Sequence, residues 1–186
     1  MKVIVAVTGA SGAIYAQRTI LHLLRCEQVE RIALILSDTA REVIAHEGVE
    51  LPTSERIEMY DNHEMFASVA SGSASWDAMI IVPASMGSVG RIAAGISQTL
   101  IERAADVMLK ERRRLVVVVR ETPYSLIHLR NMTTLTEAGA IILPASPSFY
   151  SHPESIEQAV DTVVERIIAH AGVSASHYEF VGREGK

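Results

Sequence analysis

Two charged side chains follow directly after an apolar run of the sequence and favour chemistry on an anion. The run Leu115–Arg120 has the composition of a buried strand, and the tetrapeptide Arg120-Glu121-Thr122-Pro123 closes it. An arginine can donate paired hydrogen bonds to a phosphate. A glutamate can hold or relay a proton when burial or a neighbouring cation moves its pKa. The competing interpretation is a structural ion pair at the edge of a sheet.

Two turns rich in glycine and serine follow other apolar runs. They are the segments Thr8–Ala13 and Pro83–Arg91. Glycine lets the backbone approach a ligand, and the N-terminus of a following helix offers free N–H groups to an anion. The dinucleotide fingerprint does not fit, because Ala13 and Tyr15 occupy positions that it reserves for glycine. The alternatives are a tight turn with Ser11 as a helix cap and, in the second segment, an ordinary loop before a helix.

Several more polar side chains are candidates, each with a plain structural alternative. Ser37 is expected to be a helix N-cap, and Glu47 is an unfavourable charge for the end of a helix, where a solvated surface role is the alternative. Arg103 and Lys110 are seven residues apart, so they share a helix face about 10 Å apart, and a solvated face is the alternative. Tyr150 can donate to a phosphate oxygen or place its hydroxyl in water.

The elements that must position these residues alternate along the chain. The apolar runs predict strands at Val3–Val7, Ile32–Leu36, Met79–Val82, Leu115–Arg120 and Ala140–Leu143. Helical spacing predicts helices at Ile14–Leu24, Thr39–His46, Thr99–Lys110, Leu126–Glu137 and Ser155–His170. This order is typical of a three-layer α/β/α sandwich with a Rossmann- or flavodoxin-like parallel sheet. Ligands of such sheets bind at the carboxyl ends of the strands, where the candidates lie.

Composition excludes several classes of protein. The 186 residues include 17 Lys+Arg and 22 Asp+Glu, a net charge of −5, which is unlike the basic surface of a nucleic-acid-binding protein. No apolar run reaches the roughly 20 residues that span a bilayer. The single cysteine, Cys26, excludes an intrachain disulfide and a cysteine-based zinc site, and the 7 histidines show no metal-ligand spacing. The 48% hydrophobic content favours an oligomeric protein, which we expect in the cytoplasm.

Four segments together resemble the UbiX-type flavin prenyltransferases. They are Gly9-Ala10-Ser11-Gly12, the run from Glu102 to Arg113, Arg120-Glu121-Thr122-Pro123 and Phe149-Tyr150. The resemblance extends from Met1 to about Ala171. It implies one flavin-binding domain over residues 1–171, a tail over 172–186 that contacts a neighbouring subunit, and a homododecamer with active sites at subunit junctions.

The resemblance also implies a reaction and its residues. A dimethylallyl group passes from dimethylallyl phosphate to reduced FMN without a metal, and a UbiD-type decarboxylase receives the prenylated FMN. The flavin contacts would be Gly9, Ala10, Ser11, Ser37, Ser85, Met86, Gly87, Ser88, Arg103 and Arg120. The dimethylallyl phosphate contacts would be Lys110, Arg120, Tyr150 and Arg166. The catalytic residues would be Ser11, Glu47, Glu121 and Tyr150.

Two other functions compete with this one. An FMN-dependent cysteine decarboxylase would carry an asparagine in the turn where this chain has Met86-Gly87-Ser88, and it would use a catalytic histidine. A non-catalytic flavin carrier would use the two glycine- and serine-rich turns but would not need the cations and carboxylates together.

Overall fold

The computed structural model describes residues 1–174, and its centre is a sheet of six parallel strands. The order across the sheet is β3-β2-β1-β4-β5-β6. The strands are β1 (Lys2–Val7), β2 (Arg31–Leu36), β3 (Ile57–Asp61), β4 (Ala78–Ala84), β5 (Arg114–Val119) and β6 (Ile141–Pro144). The helices are α1 (Ala13–Arg25), α2 (Asp38–His46), α3 (Met86–Ala93), α4 (Leu100–Lys110), α5 (Leu126–Glu137) and α6 (Ile156–His170). This confirms the predicted α/β class.

Both faces of the sheet are buried, which explains why its central strands are continuous apolar runs. On one face, Val3, Val5 and Val7 of β1 pack with residues of α1, α2 and α6. On the other face, Ile4 and Ala6 pack with residues of α3, α4 and α5. The strand order reverses direction between β1 and β4, so a crevice opens at the carboxyl ends of these two strands.

Two elements differ from the sequence prediction. The edge strand β3 was not predicted, because Glu58 and Asp61 interrupt the apolar residues of Ile57–Asp61, and Met59 is exposed. Helix α3 begins at Met86, inside the segment Pro83–Arg91 that the sequence indicated as a turn before a helix, so the alternative of an ordinary loop over this segment was wrong. The predicted subunit contact of the tail falls mainly on residues 175–186, which lie outside the described part of the chain.

Candidate active site

The ends of β1, β2, β4 and β5 are joined by hydrogen bonds at the carboxyl edge of the sheet. The Thr8 hydroxyl donates to the Pro83 carbonyl oxygen at 2.8 Å and accepts from the Ser85 N–H at 2.7 Å. The Ser37 N–H donates to the Val7 carbonyl oxygen, and the Arg120 N–H donates to that of Ala84. The structure therefore brings together the turns that the sequence predicted to be neighbours.

The N-terminus of α1 is occupied by a side chain from elsewhere in the chain. The N-cap residue is Gly12, which has a φ of 105° and gives no side-chain cap. The carboxylate of Glu47 accepts instead from the Gly12 N–H at 2.8 Å and the Ala13 N–H at 2.7 Å. The alternative of Ser11 as the helix cap was thus wrong. The unfavourable position of Glu47 at the end of α2 is explained, because its carboxylate meets the positive end of α1.

Glu47 is held in its ionised form. Burial raises the pKa of its carboxyl, but the hydrogen bonds from the Gly12 N–H and the Ser11 hydroxyl outweigh burial. The Ala13 N–H and the positive charge of Arg120 act in the same direction, so the pKa lies below its usual value. At neutral pH this carboxylate can accept a proton, and it has none to donate.

Helix α2 lies along the first turn because both of its ends contact that turn. Glu47 follows its last residue, and Thr39 in its first turn lies against Gly9. A Cβ atom on Gly9 would come within 2.5 Å of the Thr39 methyl group, so only glycine fits there. Packing thus accounts for Gly9, and its contact with a flavin stays a prediction.

The N-terminus of α3 is capped differently, from within its own turn. The Ser85 hydroxyl accepts from the Ser88 N–H at 3.4 Å and lies 3.1 Å from the Ser88 hydroxyl. The N–H groups of Met86 and Gly87 lie in the first helical turn, where a helix provides no acceptor. This terminus therefore offers donors to an anion from outside the chain. Ser37 is likewise an N-cap, as predicted, and accepts from the Ala40 N–H at 3.1 Å.

An ion pair behind α3 escaped the sequence analysis. Arg91 donates through Nε to the Glu102 carboxylate and through Nη2 to the Ser88 hydroxyl at 3.3 Å. Glu102 is 2% exposed. The signal that could have revealed it is the Thr99-x-x-Glu102 capping box, which places this glutamate at the start of a buried helix.

The remaining predicted residues do not all meet at the carboxyl edge. Arg120 is exposed there, and the Glu121 carboxylate accepts from the Thr122 N–H at 2.9 Å. Lys110 ends α4, which leads into the start of β5, so Lys110 lies at the opposite edge of the sheet and pairs with Glu111. Lys110 lies about 15 Å along α4 from the start of that helix.

Arg103 and Arg166 also lie away from the two turns. Arg103 donates to the Asp106 carboxylate at 2.7 Å and to the Ala70 carbonyl oxygen. Arg166, on α6, lines a cavity of about 370 Å³ with Ser148 and Ser151. The exposed Tyr150 belongs to the same connection between β6 and α6.

Within residues 1–174, no three His, Cys, Asp or Glu side chains lie close enough to hold a metal ion together. None of the helices in that range is long and apolar enough to cross a membrane.

The fold and the two turns at its switch point define a flavodoxin-like α/β class, and residues 1–169 match the Flavoprotein family. A flavin prenyltransferase UbiX from Thermoplasma acidophilum is 45% identical over 176 residues, which cover 93% of this chain and 96% of the relative. The chain belongs to the UbiX family of flavin prenyltransferases, which are transferases.

Two solved structures extend this similarity to the whole fold. The crystal structure of AnUbiX (PadA1) in complex with FMN and dimethylallyl pyrophosphate superposes with a TM-score of 0.90, 40% identity and 98% coverage of both chains. A dodecameric FMN-dependent UbiX-like decarboxylase from Escherichia coli O157:H7 superposes with a TM-score of 0.88 and 36% identity, over 97% of this chain and 100% of that one.

Proposed function

We propose that this protein transfers a dimethylallyl group from dimethylallyl phosphate to reduced FMN. One observation carries the proposal: the ionised Glu47 carboxylate and the open N-terminus of α3 lie at the same edge of the sheet, with Arg120 near Glu47. A proton acceptor, an anion site and a cation are the groups that alkylation by a phosphate ester requires.

The turn at the start of α3 fits the phosphate of FMN. Its first-turn N–H groups and the Ser85 hydroxyl are donors, and Gly87 has no side chain to cover them. The start of α1 is already filled by Glu47, so the phosphate belongs at α3. We therefore assign FMN contacts to the second turn and to Ser37. The predicted contacts at Gly9, Ala10 and Ser11 would lie beside the ring system.

The flavin supplies the nitrogen and the aromatic carbon that receive the dimethylallyl group. Proton acceptance falls to the chain's own residues. The Ser11 hydroxyl donates to Glu47, so its lone pairs are free to accept a proton that Glu47 then takes up. Glu121 is half-buried next to Arg120 and is the second candidate proton acceptor.

The leaving phosphate needs cations that converge, and among the predicted phosphate contacts Arg120 lies near Glu47 at this edge. Lys110 ends α4 at the opposite edge of the sheet. We propose that a second copy of the chain supplies Lys110, that Arg103 lies beside the flavin, and that Tyr150 and Arg166 complete the phosphate site from the β6 side. Leu126, Ile127 and Leu129 at the start of α5 are exposed, which supports self-association, and we expect a dodecamer.

Three further assignments follow from this function. Residues 1–171 form the flavin-binding domain, the reaction takes place in the cytoplasm without a metal, and a UbiD-type decarboxylase receives the prenylated FMN. The family membership supports each of them.

The test is an anaerobic reaction of the purified protein with FMN, a chemical reductant and dimethylallyl phosphate. The released flavin is then weighed by mass spectrometry. We expect the flavin to gain one dimethylallyl unit. Unchanged FMN that nevertheless remains bound would reject the transferase and leave the flavin carrier. Loss of carboxyl groups from added peptidyl cysteine would instead support the cysteine decarboxylase.

A further inference from the structure

Among residues 1–174, Glu102 is the one Asp, Glu, Lys or Arg side chain that is buried. One of its oxygens, Oε2, accepts from the N–H groups of Gln98 and Thr99 at 2.9 and 3.0 Å. These bonds and the cap from Thr99 begin α4. The other oxygen, Oε1, accepts from Arg91. The start of α4 uses Oε2, and Oε1 is left to pair with Arg91.

Arg91 links Glu102 to the second turn, Pro83–Arg91. Its guanidinium bridges Glu102 and the hydroxyl of Ser88, and the Ser88 hydroxyl meets that of Ser85 at 3.1 Å. The Ser85 N–H in turn donates to the Thr8 hydroxyl at 2.7 Å. A continuous polar chain therefore runs from the start of α4 to the end of β1.

This series of hydrogen bonds has a direction, because an arginine side chain can only donate hydrogen bonds. Either hydroxyl of the Ser85–Ser88 pair can be the donor, and the bond from Arg91 uses one lone pair of the Ser88 oxygen, which favours Ser88 as the donor. In that arrangement the Ser85 oxygen accepts from both the Ser88 hydroxyl and the Ser88 N–H. The remaining Ser85 proton is left for an acceptor outside the chain, such as a phosphate oxygen.

We propose that Arg91 and Glu102 are positioning residues, which orient the Ser88 hydroxyl towards Ser85 and thereby the Ser85 hydroxyl towards the phosphate of the flavin. This rests on the proposed function only in taking FMN as the ligand of the second turn. Arg91 is 48% exposed in its side chain and Glu102 holds it from the buried side, so the guanidinium is fixed at one end.

The test compares binding of FMN with binding of riboflavin, which has the same ring system and no phosphate. Both are titrated into the flavin-free, full-length protein, with flavin fluorescence as the readout. For Arg91→Met we expect FMN binding to weaken about tenfold, the loss of one well-placed hydrogen bond, and riboflavin binding to stay within about twofold. A general loss of structure would weaken both ligands equally, and that result would overturn the proposal.

Three variants make the test specific. Arg25→Met removes another arginine from the last turn of a helix, at the far end of α1, and should change neither affinity. Arg91→Lys keeps the charge opposite Glu102 but lacks the planar fork that spans two partners. We expect it to lose FMN affinity as Arg91→Met does, and full rescue by lysine would overturn the proposal. If Arg91→Met does not fold, the Arg91→Lys variant takes its place in the comparison of FMN with riboflavin.

The double variant Arg91→Met/Ser88→Ala tests whether Arg91 affects FMN binding through Ser88. If Arg91 acts through Ser88, the double variant binds FMN no more than about twofold more weakly than Ser88→Ala alone. Losses that multiply would show that Arg91 acts independently, which contradicts the proposal. A wild-type protein that fails to alkylate FMN but keeps the FMN–riboflavin difference would reject the transferase and leave this inference intact.

Discussion

The N-termini of α1 and α3 lie at the same edge of the sheet and differ in what accepts their free N–H groups. Both begin at the carboxyl end of a central strand, on either side of the switch point, α1 after the segment Thr8–Gly12 and α3 directly after Ser85. The start of α1 is filled by the Glu47 carboxylate, whereas the start of α3 is capped by its own Ser85 and keeps its first N–H groups open. One terminus holds an internal anion, and the other is built to receive an external one.

The difference indicates how one edge of the sheet can provide both a proton acceptor, Glu47, and an anion site at the start of α3. A helix N-terminus stabilises negative charge, so at α1 it lowers the pKa of a carboxyl that must stay ionised to accept a proton. At α3 the same property is left for a phosphate. At α1 the helix N–H groups share the task of stabilising the carboxylate with the positive charge of Arg120.

Removal of the internal anion is expected to have the largest effect. Glu47→Gln keeps an acceptor for the helix N–H groups but cannot take up a proton. We expect the rate of FMN prenylation to fall about 1000-fold, within the range for general acid–base groups, while FMN affinity changes little. The measurement is single-turnover alkylation of reduced FMN followed by mass spectrometry.

Glu42→Gln provides the matched control, because Glu42 is an exposed carboxylate on the same helix α2. It should react at the wild-type rate. A Glu47→Gln protein that also reacts at that rate would remove Glu47 from the chemistry and leave it only the role of a helix cap.

The next prediction concerns the cations that one chain does not bring to this edge. We expect Lys110→Ala to slow prenylation about 100-fold, the usual effect of losing one donor to a developing charge. Its pair with the adjacent Glu111 is exposed, so stability should change little. Arg112→Ala, two residues further on and exposed, should have no such effect.

Co-assembly tests whether Lys110 comes from a second copy. Mixed oligomers of Lys110→Ala and Glu47→Gln chains contain some sites with both native side chains, provided that the two residues of a site belong to different chains. Such mixtures should regain a measurable fraction of the wild-type rate. Failure of mixed assemblies to recover would place Lys110 and Glu47 of each site on the same chain.

The central strands could be predicted because each is a continuous apolar run, buried on both faces. Strand β3 could not, since it lies at an edge and its acidic residues Glu58 and Asp61 break the apolar run. The turns could be placed at one edge from the order of elements alone. The bond between Glu47 and Gly12 joins residues 35 apart and depends on how α2 lies across that edge, which no local pattern encodes.

Lys110 illustrates the opposite case. Helical spacing places it on one face of α4 with Arg103, and the chain order already puts the end of α4 at the amino edge of the sheet, because β5 follows. The resemblance assigns it to a site at the other edge. Our proposal that a second copy of the chain supplies Lys110 reconciles the two, and under it this part of the site depends on assembly and not on the fold of one chain.

The backbone geometry at the N-terminus of α1, which Glu47 occupies, is expected to contribute to the stability of the protein. Gly12 has a φ of 105°, and a Cβ atom there would come within 3.0 Å of the Tyr15 ring. We expect Gly12→Ala to lower the free energy of unfolding by about 2 kcal/mol. Gly48→Ala, at a φ of 65° with no atom within 4 Å of the added Cβ, should cost about 1 kcal/mol. Urea unfolding compares the two, and equal losses would contradict the role of the Tyr15 contact.

The smallest expected effect is a pH dependence of stability that belongs to Glu47. Its pKa is lower in the folded protein than the ordinary value of 4.5, so it stabilises the fold above pH 4.5, and this contribution is lost as the pH falls through the folded pKa. The wild type should therefore exceed Glu47→Gln by about 1 kcal/mol at neutral pH, a typical effect of a charge at a helix terminus. Urea midpoints measured from pH 7 downwards should show the difference shrinking below pH 4.5. A difference that is constant, or that grows on acidification, would mean that the carboxylate is not the anion that the start of α1 holds.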